Sequence, residues 1–359
     1  MDFFKNKRNL IIVIVTVVVL IGGGVTVFAL LQQQPEPAVV EAPTMEKPVT
    51  AIPEAKEEEP RDPAWPLTGM SIEDEALASN RPLSIKIENS PDARPQLGLG
   101  SADIVYETIT EGGITRFNCL FQSNIPSDVG PVRSARNSDV TLVPQYQGIL
   151  FYSGANGRVI SQMGAAGLDM ITEGAGVLFY RVDYRYAPHN LYLGLSDIYQ
   201  TVQNNGFTIT TANPPTLEFL KVGETQSLSS AKPASAIAIP FSDYSLVEWV
   251  WSDEAKKYYR WMDGPSTDAA NDEQIAVENL VVMWATYTPD PEGGTTLEVN
   301  LNGSGKAMVF TEGQWIEGTW ETNGTTPPRF KDASGSTIFL TPGQSWFSVV
   351  PQDVTVTAQ

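Results

Sequence analysis

Arginine is concentrated in one part of this chain, and it is the residue type here best suited to binding chemistry. Eight arginines fall between residues 81 and 185, where the only lysine is Lys86. They are Arg81, Arg94, Arg116, Arg133, Arg136, Arg158, Arg181 and Arg185. A guanidinium group binds carboxylate or phosphate through two parallel hydrogen bonds and tolerates partial burial better than an ammonium group. The concentration therefore predicts a site for an anionic ligand.

The stretch from Gly130 to Asp139 is the strongest candidate for that site. Arg133 and Arg136 are three residues apart at the start of a predicted helix, so we expect them on one face of it. Ser134 or Ser138, with the free amides of the helix start, would add hydrogen-bond donors. We predict that Arg133 and Arg136 bind the ligand. The full set of predicted ligand-binding residues is Arg94, Arg116, Arg133, Ser134, Arg136, Arg185, His189 and Asn190.

Internal ion pairs are the alternative for each single arginine. Glu107 shares a strand face with Val105 and Ile109, so an arginine could neutralise it there. Asp103, Asp139 and Asp183 are further internal acids that could take the same role.

The only histidine, His189, is the candidate general acid or base, with Asp139 as a second catalytic candidate. Next to Pro188 and Asn190, His189 could equally be a structural residue. No Ser-His-Asp triad can be assigned, because one histidine leaves the serine and the acid as free choices. One histidine and one cysteine are too few for a transition-metal site, so no metal and no cofactor are predicted.

The elements that position these residues predict an α+β fold. Strands are predicted over 82–88, 102–110, 115–123 and 147–153, and helices over 134–145 and 196–205, giving an arginine-rich domain over 67–225 with a mixed sheet. A mainly-β domain is predicted over 235–352, with strands over 236–240, 246–251, 258–262, 280–287, 295–301, 307–311, 314–321 and 336–340. Cys119 is expected in a buried strand, and most of the tryptophans of the second domain are expected in its core.

The N-terminal region predicts a membrane anchor. Leu10 to Leu31 is almost entirely apolar and long enough to cross a bilayer. Lys5, Lys7 and Arg8 precede it, which places residues 1–9 in the cytoplasm and the rest outside the cell membrane, as a single-pass protein. Cleavage as a signal peptide is the alternative. Residues 32–66 are rich in proline and glutamate and predict a disordered stalk.

Several long motifs resemble the YerB-type family, bacterial proteins named as lipoproteins that have paired N- and C-terminal domains and no established activity. The motifs are Arg94 to Leu99, Ala102 to Glu107, Glu111 to Arg116, Gly130 to Arg136, Pro188 to Asn190, Tyr259-Arg260, Phe330 to Asp332, Leu340 to Gly343 and Trp346. A lipoprotein carries a lipidated cysteine after its apolar segment. In this chain the predicted helix replaces it, because Cys119 is the only cysteine.

Together these features predict a membrane-anchored extracytoplasmic protein of the cell envelope. Its arginine-rich site would bind an anionic envelope polymer or precursor, or the carboxylates of a partner protein. One alternative is an envelope-polymer hydrolase or transferase that uses His189 or Asp139. The other is a non-catalytic assembly factor that recruits a partner protein. The net charge of −19 argues against nucleic acid as a partner.

Overall fold

The computed structural model describes residues 63–174, 178–221, 224–227, 230–291 and 295–359. These residues belong to one compact unit. The predicted cytoplasmic tail, transmembrane helix and stalk lie outside the described residues, apart from the last few positions of the stalk. Within the described ranges, no helix has the length and apolar character needed to span a membrane.

The described residues form 21 strands and three α-helices. The helices are α1 Asn137–Gln145, α2 Gly157–Ala165 and α3 Ile198–Asn204. The strands are β1 Leu83–Glu88, β2 Ile104–Ile109, β3 Thr115–Phe121, β4 Asp128–Val129, β5 Ile149–Tyr152, β6 Met170–Thr172, β7 Phe179–Arg181, β8 Leu191–Gly194, β9 Lys232–Pro233, β10 Ala236–Ser242, β11 Ser245–Ser252, β12 Lys257–Trp261, β13 Ala276–Val277, β14 Asn279–Trp284, β15 Tyr287–Pro289, β16 Leu297–Val299, β17 Gly303–Thr311, β18 Gln314–Thr322, β19 Arg329–Asp332, β20 Ser345–Val350 and β21 Thr357–Ala358.

One large mixed sheet runs through both halves of the sequence. Its strand order is β19-β18-β17-β14-β20-β2-β3-β1-β5-β6, and β9 pairs with β18. The halves meet where β20 runs parallel to β2, with Ile104 opposite Ser345 and Thr108 opposite Val349. On its other side β20 runs parallel to β14. A strand from near the end of the sequence therefore connects the two halves of the sheet.

A second sheet, ordered β13-β12-β11-β10-β21, contributes to the same apolar core. Trp249 of β11 and Trp346 of β20 are both fully buried, and their ring centroids lie 5.3 Å apart at a steep angle. Edge-to-face aromatic pairs of this kind add to the free energy gained by burying the rings.

Helix α1 packs near the strands that carry the predicted site. Tyr146, directly after the helix, shares a hydrogen bond of 2.8 Å with Tyr106 of β2. Lys86 of β1 forms a buried ion pair of 3.0 Å with Asp139 of α1. A separate small sheet, ordered β4-β8-β7, carries the loop that contains His189.

The predicted mixed sheet with helices in the first half of the sequence is confirmed, as are the buried Cys119 and the buried tryptophans Trp249, Trp261, Trp284, Trp320 and Trp346. The second half is mainly β, but its strands divide between the two sheets. The predicted boundaries 67–225 and 235–352 describe the sequence, whereas the sheet is continuous across them.

Local predictions differ from the structure at several places. Helix α1 begins at Asn137 rather than at residue 134. Residues 336–340 form no regular strand and make only isolated bridges, such as Phe219 with Leu340. Helix α2, capped by the side chain of Asn156 on the amide of Val159 at 2.8 Å, was not predicted.

Candidate functional site

Arg116 lies at the inner end of a polar cluster on one face of the large sheet. It is the second residue of β3 and stands opposite Glu88 of β1 and Thr108 of β2. Residues directly opposite each other in an antiparallel pair project to the same face. Arg116 is only 3% exposed, and the one hydrogen bond of its side chain to another described residue is from Nη1 to the carbonyl of Ser134, at 3.3 Å.

Arg133 and Arg136 reach this cluster from an extended segment, not from a shared helical face. The amide of Arg133 donates to the carbonyl of Lys86, and its carbonyl accepts from the amide of Ser153. Arg136 is the residue that precedes helix α1. The predicted helical spacing is therefore wrong, although the two arginines do approach the same acids and carbonyls.

The side chains of Arg116 and Arg136 meet at the carbonyl of Ser134. Arg136 Nη1 donates to that oxygen at 3.2 Å and to the carbonyl of Ala135 at 2.9 Å. Its Nη2 forms an ion pair of 2.8 Å with Glu111. Burial raises the pKa of Glu111, but the hydrogen bond and charge of Arg136 outweigh it and lower that pKa. Ser134 thus contributes its carbonyl to the cluster, and the ligand contact predicted for its hydroxyl stays a prediction.

Glu88 joins Arg133 to His189. The carboxylate is 1% exposed and accepts from Ser90 Oγ at 2.8 Å. His189 Nδ1 lies 2.9 Å from Glu88 Oε1, and Arg133 Nε lies 3.3 Å from Glu88 Oε2. Arg133 Nη1 also donates to the carbonyl of Pro188 at 3.4 Å. Sequence reasoning did not select Glu88, although its place at a strand end, before Asn89 and Ser90, is a usable signal.

We call Arg116, Arg133, Arg136, Glu88, Glu111 and His189 the arginine cluster. Within this group three guanidinium groups face two carboxylates, and the third nearby carboxylate, that of Asp92, is exposed to solvent. The Nε atoms of Arg116, Arg133 and Arg136 are buried without a hydrogen bond. Burial lowers the pKa of Arg116, the neighbouring charges of Arg136 and Arg133 lower it further, and the carboxylates of Glu111 and Glu88 raise it in part. Arginine stays protonated in proteins, so the free-energy cost of burial is a cost of burying the charged guanidinium.

The rim of the cluster is open to solvent. The side chains of Arg133, Arg136, Glu111 and His189 are between 14% and 27% exposed. His189 Nε2 faces the exposed carboxylate of Asp92 at 3.8 Å. Ser90 and Glu88 both contact the same nitrogen of His189, whereas a catalytic triad needs its serine and its acid on opposite nitrogens.

Three predicted ligand residues lie outside this cluster but near it. Arg185 donates to the carbonyls of Asp92 and Pro95, both at 2.8 Å. Arg94 donates to Asn89 and pairs with Asp263 at 2.7 Å. Asn190 accepts from Arg181 and donates to the carbonyl of Val182. Arg185 and Arg94 therefore hold the 89–95 loop in place.

The remaining arginines pair with internal acids. Arg81 pairs with Asp169, Arg158 with Glu298, and Arg181 with Glu173. Arg81 also lines a cavity of about 390 Å³ beyond the opposite end of β1. All three of its guanidinium nitrogens are hydrogen-bonded, two of them to the carbonyls of Gln147 and Gly148.

Asp139 is fully buried and away from the rim. Its carboxylate accepts from Lys86 and Asn118 through Oδ1 and from the amide of Arg136 through Oδ2. It therefore takes the place at the helix start where we predicted an anion. These contacts give Asp139 a structural role, and its burial is a physical reason against the catalytic role predicted for it.

Glu107 does have an arginine partner, but one from the other half of the sequence. Arg260 of β12 pairs with Glu107 at 2.9 Å, and Trp346 Nε1 donates to the same carboxylate at 3.0 Å. Thr115 Oγ1 donates as well, at 2.7 Å. None of the eight clustered arginines takes this role, and Asp103 accepts from Gln122 and Ser123 rather than from an arginine.

The fold and the cluster describe an α+β protein in which two sequence segments share one sheet. Residues 67–208 match the N-terminal domain, and residues 237–347 the C-terminal domain, of the family described as Protein of unknown function (DUF3048). The chain belongs to this family, and the expected YerB-type relationship is confirmed.

A relative of known sequence and one of known structure support this assignment. The chain is 33% identical over 296 residues to a protein of Bacillus subtilis (strain 168) named "Putative lipoprotein YerB", covering 80% of this chain and 86% of that protein. It also matches the crystal structure of YerB protein from Bacillus subtilis with a TM-score of 0.71 and 29% identity, covering 82% of this chain and 99% of the other.

Proposed function

We propose that this protein is tethered to the outer face of the cell membrane and binds an anionic ligand of the cell envelope through the arginine cluster. The phosphate groups of an envelope polymer or its precursor fit three guanidinium groups that share two carboxylates. Ligand oxygens would accept hydrogen bonds from the cluster and balance the charge of its guanidinium groups.

Arg116 carries this proposal. It is almost fully buried, yet within the described ranges its guanidinium has no carboxylate in direct contact and one hydrogen bond, to a carbonyl that Arg136 also uses. The charges of Glu111 and Glu88 act on it only at longer range. Leaving a buried charge without a partner is costly, so a purely structural arginine here would be expected to have a carboxylate. Arg260 shows that alternative, because its buried guanidinium is paired with Glu107.

The proposed location rests on two observations. Leu10 to Leu31 is long and apolar and follows positive residues. The Bacillus subtilis relative has a name that describes a lipoprotein, which is a membrane-attached protein. A membrane helix in this chain and a lipid on the relative would both keep the folded part of the protein near the membrane surface.

The binding proposal is tested by isothermal titration of the detergent-solubilised full chain with inorganic pyrophosphate. We expect the variant Arg133→Ala/Arg136→Ala to bind at least about tenfold more weakly, because charged hydrogen bonds are lost. Arg329→Ala/Lys331→Ala is the matched control for the loss of two positive charges, since both residues lie on the edge strand β19, where they pair with Glu218 and Glu321. Equal affinity in all three proteins would contradict the proposal.

A variant with the opposite effect strengthens the test. Glu111→Gln removes the carboxylate that competes with a ligand for Arg136. We expect this variant to bind pyrophosphate about threefold to tenfold more tightly. Weaker binding would show that Glu111 orients Arg136 for the ligand rather than competing with it.

One observation favours catalysis as a second candidate function. Glu88 holds Nδ1 of His189, which leaves Nε2 directed toward the exposed side of the cluster. A histidine held in this way can act as a general base in a hydrolase or transferase. Cleavage of a phosphodiester polymer, followed as the appearance of phosphomonoester ends as a function of pH in wild type and His189→Gln, tests it. Equal rates in the two proteins would exclude this role.

A further inference from the structure

The loop between β7 and β8 exposes two tyrosines beside the arginine cluster. Tyr184 is 69% exposed and Tyr186 is 90% exposed. Leu178, just before strand β7, and Tyr180, within it, are also at least 40% exposed. Large exposed apolar groups that lie together mark binding surfaces more often than isolated ones do.

The loop is anchored on both sides of these tyrosines. Arg185, between them, donates to the carbonyls of Asp92 and Pro95. The amide of His189 donates to the carbonyl of Tyr186 at 2.8 Å, and Arg133 donates to the carbonyl of Pro188. Since the backbone of the loop is held by hydrogen bonds at several points, loop flexibility does not explain why the rings are exposed.

Tyr184 belongs to a larger aromatic group. Tyr192 of β8 is buried, and its ring stacks on Tyr180 at 6.0 Å and lies 6.4 Å from Tyr184. Gly130 permits this arrangement, because a Cβ at that position would come within 2.7 Å of the Tyr192 ring. Tyr184 is therefore oriented by a buried neighbour while most of its own surface faces solvent.

We propose that Tyr184 and Tyr186 bind the sugar rings of an anionic glycan whose charged group lies at the arginine cluster. This rests on the proposed function and names its ligand class. Tyrosine has an apolar ring face and a polar hydroxyl, a combination that suits the apolar faces and hydroxyls of a sugar. The protein links the two surfaces, because Arg133 contacts both Glu88 and the loop carbonyl of Pro188.

Two other occupants of the same surface fit less well. A free phosphate or pyrophosphate would use the guanidinium groups and leave both tyrosine rings without a contact. An anionic lipid surface would face the acidic remainder of a chain of net charge −19 over a wide area, whereas a short glycan segment would contact only the loop and the arginine cluster. The remaining candidate occupant is a protein partner, which a comparison of binding probes distinguishes from a glycan.

The test compares two probes on the detergent-solubilised full chain. One probe is a polymer of sugar units joined by phosphodiesters, and the other is inorganic pyrophosphate. We expect Tyr184→Ala/Tyr186→Ala to bind the polymer about tenfold more weakly and pyrophosphate as wild type does. Tyr184→Phe/Tyr186→Phe keeps the rings and is expected to retain most of the affinity for the polymer.

The outcomes separate this inference from the function on which it rests. If the alanine variant binds the polymer as wild type does, the tyrosines do not contact the glycan and the inference is wrong. If every arginine variant binds pyrophosphate as wild type does, the proposed function itself is wrong. If the polymer does not bind, and the two tyrosines are needed instead to capture a membrane protein, the glycan is the wrong occupant.

Discussion

Buried ionisable groups in the central strands are held in different ways. Glu107 accepts from Arg260, Trp346 and Thr115, so its charge is balanced and hydrogen-bonded. Arg116 is buried with much less support, which is the basis of the binding proposal. Asp103 lies between these cases, because it accepts two amide hydrogen bonds and one from the hydroxyl of Ser123 but has no cationic partner among the described residues.

Asp103 predicts a specific pH dependence of stability. Burial raises its pKa from 3.8 to about 6, despite the hydrogen bonds that lower it. Between these pH values the unfolded chain has lost the proton and the folded chain keeps it, so rising pH destabilises the fold. We expect the unfolding free energy of wild type, relative to Asp103→Asn, to fall by about 2 kcal/mol from pH 4 to pH 7.

Urea denaturation of the two proteins at several pH values measures this difference. The comparison with Asp103→Asn removes the contribution of the other titrating groups, which the two proteins share. A difference that stays constant, or that rises with pH, would show that the hydrogen bonds from Gln122 and Ser123 outweigh burial.

At the scale of elements, the sequence predicts strands well and their surroundings poorly. The alternation over 82–88 is typical of a strand with one solvent-facing side. In β1, however, every residue is buried, because Ser84, Lys86 and Glu88 lie under α1 and the 131–136 segment. Strand β20 was not predicted, since all six of its residues are buried between parallel neighbours and show no alternation. These features depend on contacts between distant parts of the sequence, which local patterns do not contain.

The ion pair of Lys86 and Asp139 attaches helix α1 to strand β1, and it allows a test. Burial lowers the pKa of Lys86, although Asp139 raises it in part. Asp139→Asn leaves Lys86 buried without a counter-charge, and we expect it to cost about 3 kcal/mol of unfolding free energy. Adding Lys86→Met should recover part of this loss, because the unpaired charge is then removed.

Urea denaturation of the single and double variants gives both values. Lys306→Gln is the control for a surface ion pair, because Lys306 and Glu317 are about half exposed, and we expect it to cost less than about 1 kcal/mol. If the double variant is less stable than Asp139→Asn, the ion pair does not account for the attachment of the helix.

At the scale of the whole molecule, the two family segments depend on each other. Strand β2 has β20 as its neighbour on one side, and Glu107 of β2 has Arg260 as its counter-charge. The sequence correctly indicates two segments, because family motifs and composition change near residue 230. It does not indicate that the segments share a sheet, since strand pairing across that distance has no local signal.

A fragment of residues 67–225 should therefore not fold alone. It would leave one edge of β2 unpaired and Glu107 buried without Arg260. We expect it to aggregate or to give a poorly dispersed amide NMR spectrum, and co-expression with residues 230–359 to restore a soluble complex. A well-dispersed spectrum from the fragment by itself would show that the segments are independent domains.

The position of β20 also has a consequence for how the protein reaches its folded state. A chain emerges with its N-terminus first, but Ser345–Val350 must be inserted between β2 and β14 before the large sheet is continuous. Residues 104 and 345 become neighbours only after everything between them has been made. Late, long-range closure of this kind slows folding and leaves strand edges exposed to aggregation in the meantime. The protein should therefore depend on chaperones during its synthesis more than its number of residues alone suggests.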